Sequence, residues 1–156
     1  MDLRNLGPSD IKISPIIMGT WQAGRDLWAD IDDAETTRAI QAAVDAGVNT
    51  IDTAAVYGKG HSERVVGKAV GERRPQVVIA TKVFANELQY DQVIAACEHS
   101  LANLQTDYID LYQIHWPSGS FGSPVVPVEE TMRALTALKE QGKIRAIGVS
   151  NFSRIQ

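Results

Sequence analysis

Short, nearly continuous apolar runs alternate with amphipathic helical segments from end to end of this chain, and that alternation leaves few folds open. The runs are Pro15–Thr20, Asn49–Thr53, Val77–Thr81, Tyr108–Ile114 and Ala146–Ser150. Strands covered on both faces show such unbroken apolar character. Between the runs lie helical patterns. Asp32 or Asp33 caps a helix reaching Ala46, with Ile40, Ala43 and Val44 on one face and Gly47 as its stop. A second helix begins near Ser62 and ends about Gly71. A third carries Ile94, Cys97, Leu101 and Leu104 as an apolar stripe. The fourth has Pro127 at or near its first turn, turns Val128, Met132, Leu135 and Leu138 inward, and ends at Gly142. Strand starts recur roughly every 30 to 40 residues, the length of single βα units. The order βαβαβαβαβ predicts an α/β fold: a parallel sheet with right-handed crossovers.

Ahead of the first strand, Leu3–Leu6 and Ile11–Ile13 flank Gly7-Pro8-Ser9-Asp10, which reads as a small β-hairpin able to plug the N-terminal mouth of a barrel. The stretch Trp116–Val126 is the longest irregular connection after a strand and a candidate substrate wall. Neither phosphate-binding loop of the open α/β sheets is present. The first strand ends in Gly19-Thr20-Trp21-Gln22-Ala23-Gly24 where a dinucleotide fold has G-x-G-x-x-G, and Gly58-Lys59-Gly60 lacks both ends of a P-loop. A net charge of −4 and the lack of a basic run give no footprint for nucleic acid or an anionic membrane surface. No apolar run approaches the ~20 residues of a membrane span. The N-terminus lacks the blocks of a signal peptide. A lone cysteine, Cys97, fits a reducing compartment, so a cytoplasmic protein is expected.

Asp52, Tyr57, Lys82 and His115 each fall at, or just beyond, the C-terminal end of a different predicted strand, or in the loop leaving it. In a repeating βα barrel those ends converge on the face that carries catalysis. A phenol holds its proton at neutral pH and is a usable acid only where a nearby positive charge stabilises the phenolate. Lys82 can supply that charge, Asp52 can keep the lysine protonated and anchored, and His115 can hydrogen-bond a substrate oxygen. Such a quartet activates a carbonyl but contains no reductant, so hydride must come from a bound cofactor, which points to a nicotinamide. Taken singly, each residue has a plainer reading: a packing tyrosine, a strand-end lysine, a turn-forming aspartate, a structural histidine. Their joint placement is what points to chemistry. His61 reads as a helix start, His99 as a helix-surface residue and Cys97 as core. The three histidines show no metal-ligand spacing.

Three segments then resemble one family. Gly47–Ala54 followed by Tyr57-Gly58 and Ser62–Gly67 looks like the first signature of the aldo-keto reductases. Asp107–Pro117 is similar to their central segment, and Gly142–Phe152 resembles the segment entering their fifth strand. The spacer Gly58–His61 looks like the bacterial and channel-subunit branches. The resemblance extends over essentially all 156 residues. It implies the N-terminal half of a TIM barrel: residues 1–156 as one incomplete (β/α)8 domain of about five strands and four helices. It implies Tyr57 as general acid, Lys82 lowering its pKa, Asp52 holding Lys82, and His115 orienting the carbonyl. Ser150 and Asn151 match residues that bind the nicotinamide carboxamide. Gly19, Thr20 and Trp21 match the cofactor and substrate wall, and Trp116 either packs its loop or lines the pocket. The implied cofactor is NADPH and the implied substrates are small aldehydes and ketones. The family holds the adenine, the 2′-phosphate and most of the pyrophosphate in later strands and helices. A chain ending at Gln156 is therefore expected to bind cofactor weakly and to be inactive alone, to self-associate, or to pair with a C-terminal half. The alternative is a non-catalytic half-barrel binding or assembly module.

Overall fold

Gly7 takes a left-handed φ of +55° and turns the chain back where Gly7–Asp10 predicts it, pairing β1 (Arg4–Asn5) antiparallel with β2 (Lys12–Ile13). The computed structural model describes residues 1–26, 28 and 30–153. After the hairpin come five parallel strands in sequential order: β3 (Met18–Gly19), β4 (Thr50–Asp52), β5 (Val78–Val83), β6 (Ile109–Ile114) and β7 (Ile144–Val149). Four helices join them: α1 (Asp33–Asp45), α2 (His61–Val70), α3 (Tyr90–Leu104) and α4 (Val128–Glu140). Sequential parallel order with a helix between every pair is the βα winding of a barrel wall.

Local chemistry explains the bounds. Asp32 is the cap of α1, its carboxylate accepting from Glu35 N at 2.8 Å. Gly47 follows at φ +90°. Only Met18 and Gly19 of the first apolar run enter the sheet. Upstream, Pro15 has no N–H to give, and Ser14 is held by Asn49 Oδ1 at 2.7 Å while its hydroxyl donates to Ile16 O at 2.6 Å. Conversely β7 starts two residues before the predicted run, because Ile144 pairs with Ile109 and the Arg145 guanidinium donates to Asp110 at 2.7 Å. The fourth helix is rotated from its predicted face. Val128 is exposed and Met132 only partly buried, while Thr131, Ala134, Leu135 and Leu138 are inward. Thr131 can turn inward because its hydroxyl donates to Leu88 O at 2.7 Å.

The outer face of the sheet (Ile51, Ile79, Val83, Tyr112, Ile114) packs on Ile40, Val66, Val93, Cys97, Leu101, Leu135 and Leu138 of the helices. Cys97 is core, and burial pushes its thiol up to about 12. The inner face is different. Gly19, Asp52, Ala80 and Gln113 line a hollow of about 510 Å³ together with Leu6 and Ile13 beside the hairpin turn. The hairpin therefore meets the inner wall, where a plug would sit. Among the described residues no helix is long and apolar enough to cross a membrane.

Candidate active site

Period-two alternation in the strands decides which side chains reach the inner face. Asp52 is the last residue of β4, Lys82 the penultimate residue of β5, and His115 immediately follows β6. Tyr57 lies in the loop leaving β4. Asp52 and Tyr57 thus share one strand and its loop rather than coming from different strands, which corrects the expectation. The four residues between them let the loop fold back over its own strand end.

The quartet is brought together. Lys82 is buried, and its ammonium donates to both oxygens of Asp52 at 2.8 Å and to Thr53 O at 2.8 Å. Three acceptors satisfy all three protons, so the buried charge is paired. Lys82 Nζ lies 5.5 Å from the Tyr57 ring centre. The Tyr57 and His115 rings meet edge-on at 5.7 Å. Burial, and then the charge of Asp52, hold the Tyr57 phenol above its ordinary value. The Lys82 ammonium is itself engaged on Asp52 at contact distance. Burial, and then Lys82, push the His115 imidazole down to about 4. His115 is therefore neutral at pH 7, and its Nδ1 is buried with no hydrogen-bond partner among the described residues.

The His115 shift makes stability depend on pH. The unfolded chain's histidine titrates near roughly 6.5, so between that value and about 4 the unfolded state binds more protons. Unfolding free energy should decline as pH falls through this window and be flat in this contribution above it. Urea unfolding at a series of pH values should show that decline, and His115→Phe should remove its part of it.

An aromatic wall surrounds the quartet. Trp21 tilts over Tyr57 at 6.4 Å and meets Trp28 edge-on at 5.9 Å. On the other side Phe84 touches His115 at 5.7 Å and stacks on Phe121 at 5.6 Å, and Trp116 packs edge-on against Phe121 at 5.2 Å. Trp116 thus touches its own loop through Phe121. At the end of β7, Ser150 N donates to Ile114 O at 2.8 Å, and Asn151 Nδ2 donates to His115 O at 2.9 Å and to Ser150 Oγ at 3.0 Å. Gly19 opens onto free space where a side chain would point.

A scan of family models matches the Aldo/keto reductase family over residues 15–156. The chain belongs to the aldo/keto reductase family. Aldo-keto reductase YhdN of Bacillus subtilis is 44% identical over 163 residues, spanning 98% of this chain and 48% of that protein. Methylglyoxal reductase YeaE of Escherichia coli is 42% identical over 143 residues, spanning 92% and 47%. Among solved structures, the thermostable aldo-keto reductase Tm1743 in complex with epalrestat superposes with a TM-score of 0.88 at 38% identity, covering 99% of this chain and 56% of that one. An aldo-keto reductase from Klebsiella pneumoniae in complex with NADPH gives 0.82 at 36%, covering 92% and 48%. The chain spans about half the length of the curated relatives it matches, and its fold is the N-terminal half of their barrel.

Within this aldo-keto reductase half, Thr20 links neighbouring elements. It is buried, with its hydroxyl 3.0 Å from Asp52 O and 2.9 Å from Ser62 Oγ, and Ser62 Oγ donates in turn to Thr20 O at 2.8 Å. Its side chain ties the end of β3 to α2. Glu63 was missed as a functional support. Fully buried, it accepts from Thr81 Oγ1 at 2.7 Å and from Asn103 at 3.0 Å, bracing the residue next to Lys82. Phe84 and Phe121 were missed as wall residues. Glu63 was visible only inside the Ser62–Gly67 segment, and the two phenylalanines carried no local signal. His61 starts α2, its Nε2 2.9 Å from Asp33 Oδ1, and His99 is exposed on α3. Among the described residues no group of three or more His, Cys, Asp or Glu could hold a metal ion.

Proposed function

We propose that this chain carries the proton-delivery half of an NADPH-dependent reductase acting on small aldehydes or ketones. The observation that carries the reading is the joining of Asp52, Lys82, Tyr57 and His115 within one aromatic-walled site. A reduced nicotinamide, when bound, supplies the hydride. The phenol of Tyr57, kept protonated by burial, donates the proton to the carbonyl oxygen as negative charge develops there. Lys82, held by Asp52 and Thr53 O, places a fixed positive charge beside the ring that must become phenolate. Neutral His115 orients the carbonyl, and Trp21 and Phe84 keep water from the reacting face.

The residues present suit the nicotinamide end. With its amide nitrogen engaged, Asn151 has no partner on Oδ1 among the described residues, and the Ser150 hydroxyl proton has no acceptor among them. That pair complements the N–H and C=O of a primary carboxamide. NADPH complexes of relatives support the choice of cofactor. Fluorescence titration of the 156-residue chain with NADPH should give weak binding, in the millimolar range of roughly −4 kcal/mol, lost on Asn151→Ala. No saturable binding at any reachable concentration would count against the reading. Buried Cys97 is consistent with a reducing, cytoplasmic compartment.

A second reading, an assembly module, is favoured by the open sheet. Among the described residues β3 and β7 each pair on one side only, and Ile17 and Val149 near these edges are 47% and 51% exposed. Unpaired edges beside apolar side chains favour association with another sheet, whether a second copy or a C-terminal half. Sedimentation velocity should show dimers or larger species. A monomer at high concentration would remove this reading.

A further inference from the structure

Straight after Tyr57, one backbone N–H of the loop is held by a side chain from a distant segment. Across residues 57–62 each backbone N–H finds an acceptor inside the segment 54–60, with a single exception. Tyr57 N donates to Ala54 O, Lys59 N to Val56 O, Gly60 N to Ala55 O, His61 N to Gly58 O and Ser62 N to Tyr57 O. Gly58 N instead donates to Asp26 Oδ2 at 2.6 Å. A carboxylate accepting an N–H makes a short, strong bond of fixed direction. Gly58, Lys59 and Gly60 all have left-handed φ (+61°, +50°, +82°), so this loop turns sharply straight after Tyr57.

The same two segments meet backbone to backbone. A Cβ on Gly24 would lie 2.7 Å from Tyr57 C, and one on Gly58 would lie 2.2 Å from Gly24 O. Trp21, which tilts over the Tyr57 ring, opens the short 3-10 turn Trp21–Gly24. Asp33, 2.7 Å from Arg25 and 2.9 Å from His61, joins the flanks of the two segments.

We infer that Asp26 is a positioning residue for Tyr57: its carboxylate holds the Gly58 N–H, keeps the Gly24–Gly58 backbones in contact, and so sets the Tyr57 ring between Trp21 and His115. The inference rests on the proposed role of Tyr57 for its consequence, and on geometry alone for its test. A loop that drifts by an ångström misplaces the proton donor even when every reacting group is intact.

The experiment follows the Tyr57 ring by nuclear Overhauser contacts in the 156-residue chain with ring-labelled tyrosine, Tyr57→Phe identifying the signal. In the unsubstituted chain, contacts from Tyr57 to His115 and Trp21 are expected. Asp26→Ala should lose them, and the phenol titration should move back toward its ordinary value near roughly 10 as the ring is exposed. Asp26→Asn keeps an oxygen acceptor and should restore both readouts. Gly24→Ala, with the carboxylate intact, should lose the contacts by pushing the backbones apart. Asp26 is exposed, so the melting temperature of Asp26→Ala should hold within a few degrees. Contacts unchanged in Asp26→Ala, or lost equally in Asp26→Asn, would overturn the inference. Absence of turnover in the unsubstituted chain would bear on the proton-donor reading and leave this result standing.

Discussion

Replacing Tyr57 with Phe should lower carbonyl reduction by about 10²- to 10⁴-fold, the usual contribution of a positioned general acid, while leaving NADPH binding within about twofold. The change removes one oxygen and keeps the ring that packs on Trp21 and His115. Ser150 and Asn151, the proposed carboxamide partners, stand on a different strand end. The measurement is NADPH consumption at 340 nm alongside fluorescence binding, in any form of this chain that turns over. Loss of both together would make Tyr57 a binding residue instead of the acid. Because burial and Asp52 hold the phenol above its ordinary value, it stays protonated across the neutral range. The rate should fall only as pH rises through that raised value.

Asp110→Ala should cost about 3–5 kcal/mol of stability, the range for stranding one partner of a buried ion pair. Asp110 is almost fully buried near the start of β6, at the opposite end of the sheet from Tyr57. Its Oδ2 accepts from Arg74 at 2.8 Å and from Ile79 N at 2.9 Å, and its Oδ1 accepts from Arg145 at 2.7 Å. Arg74 also donates to Val77 O, Tyr108 O and Thr106 Oγ1, and lies 3.9 Å above the Tyr108 ring. Alanine would leave the largely buried Arg74 guanidinium without its counter-charge and the buried Ile79 N–H without an acceptor. Arg145 is partly exposed, so Arg145→Ala should cost only about 1 kcal/mol or less. Urea unfolding at pH 7 distinguishes the two. Equal losses would mean the network acts as one unit.

Order and type of the elements were readable because they rest on local rules. The Gly7–Asp10 turn, the Asp32 cap, the Gly47 stop and the apolar runs each act within a few residues. The ends were less readable. Met18–Gly19 is shortened by Ser14 and Asn49, which lie 35 residues apart in sequence, and β7 is lengthened by a partner on β6. The α4 face shifted because a buried Thr131 is satisfied by Leu88, a contact no helical period contains.

Asp52, Lys82 and His115 could be found in the sequence because strand ends place them on one rim whatever the details of packing. Their tertiary neighbours could not. That Lys82 is held by both oxygens of Asp52, that Thr20 turns inward, and that Asp26 and Gly24 brace the Tyr57 loop all depend on contacts between segments 30 or more residues apart. By itself, the sequence determined a right-handed βα winding and the rim that carries the polar quartet, since periodicity and strand direction are properties of the local chain. The charge states, the support of Tyr57 and the composition of the aromatic wall were decided only by the tertiary structure. Burial and hydrogen-bond distance are relations between distant residues, and no local pattern encodes them.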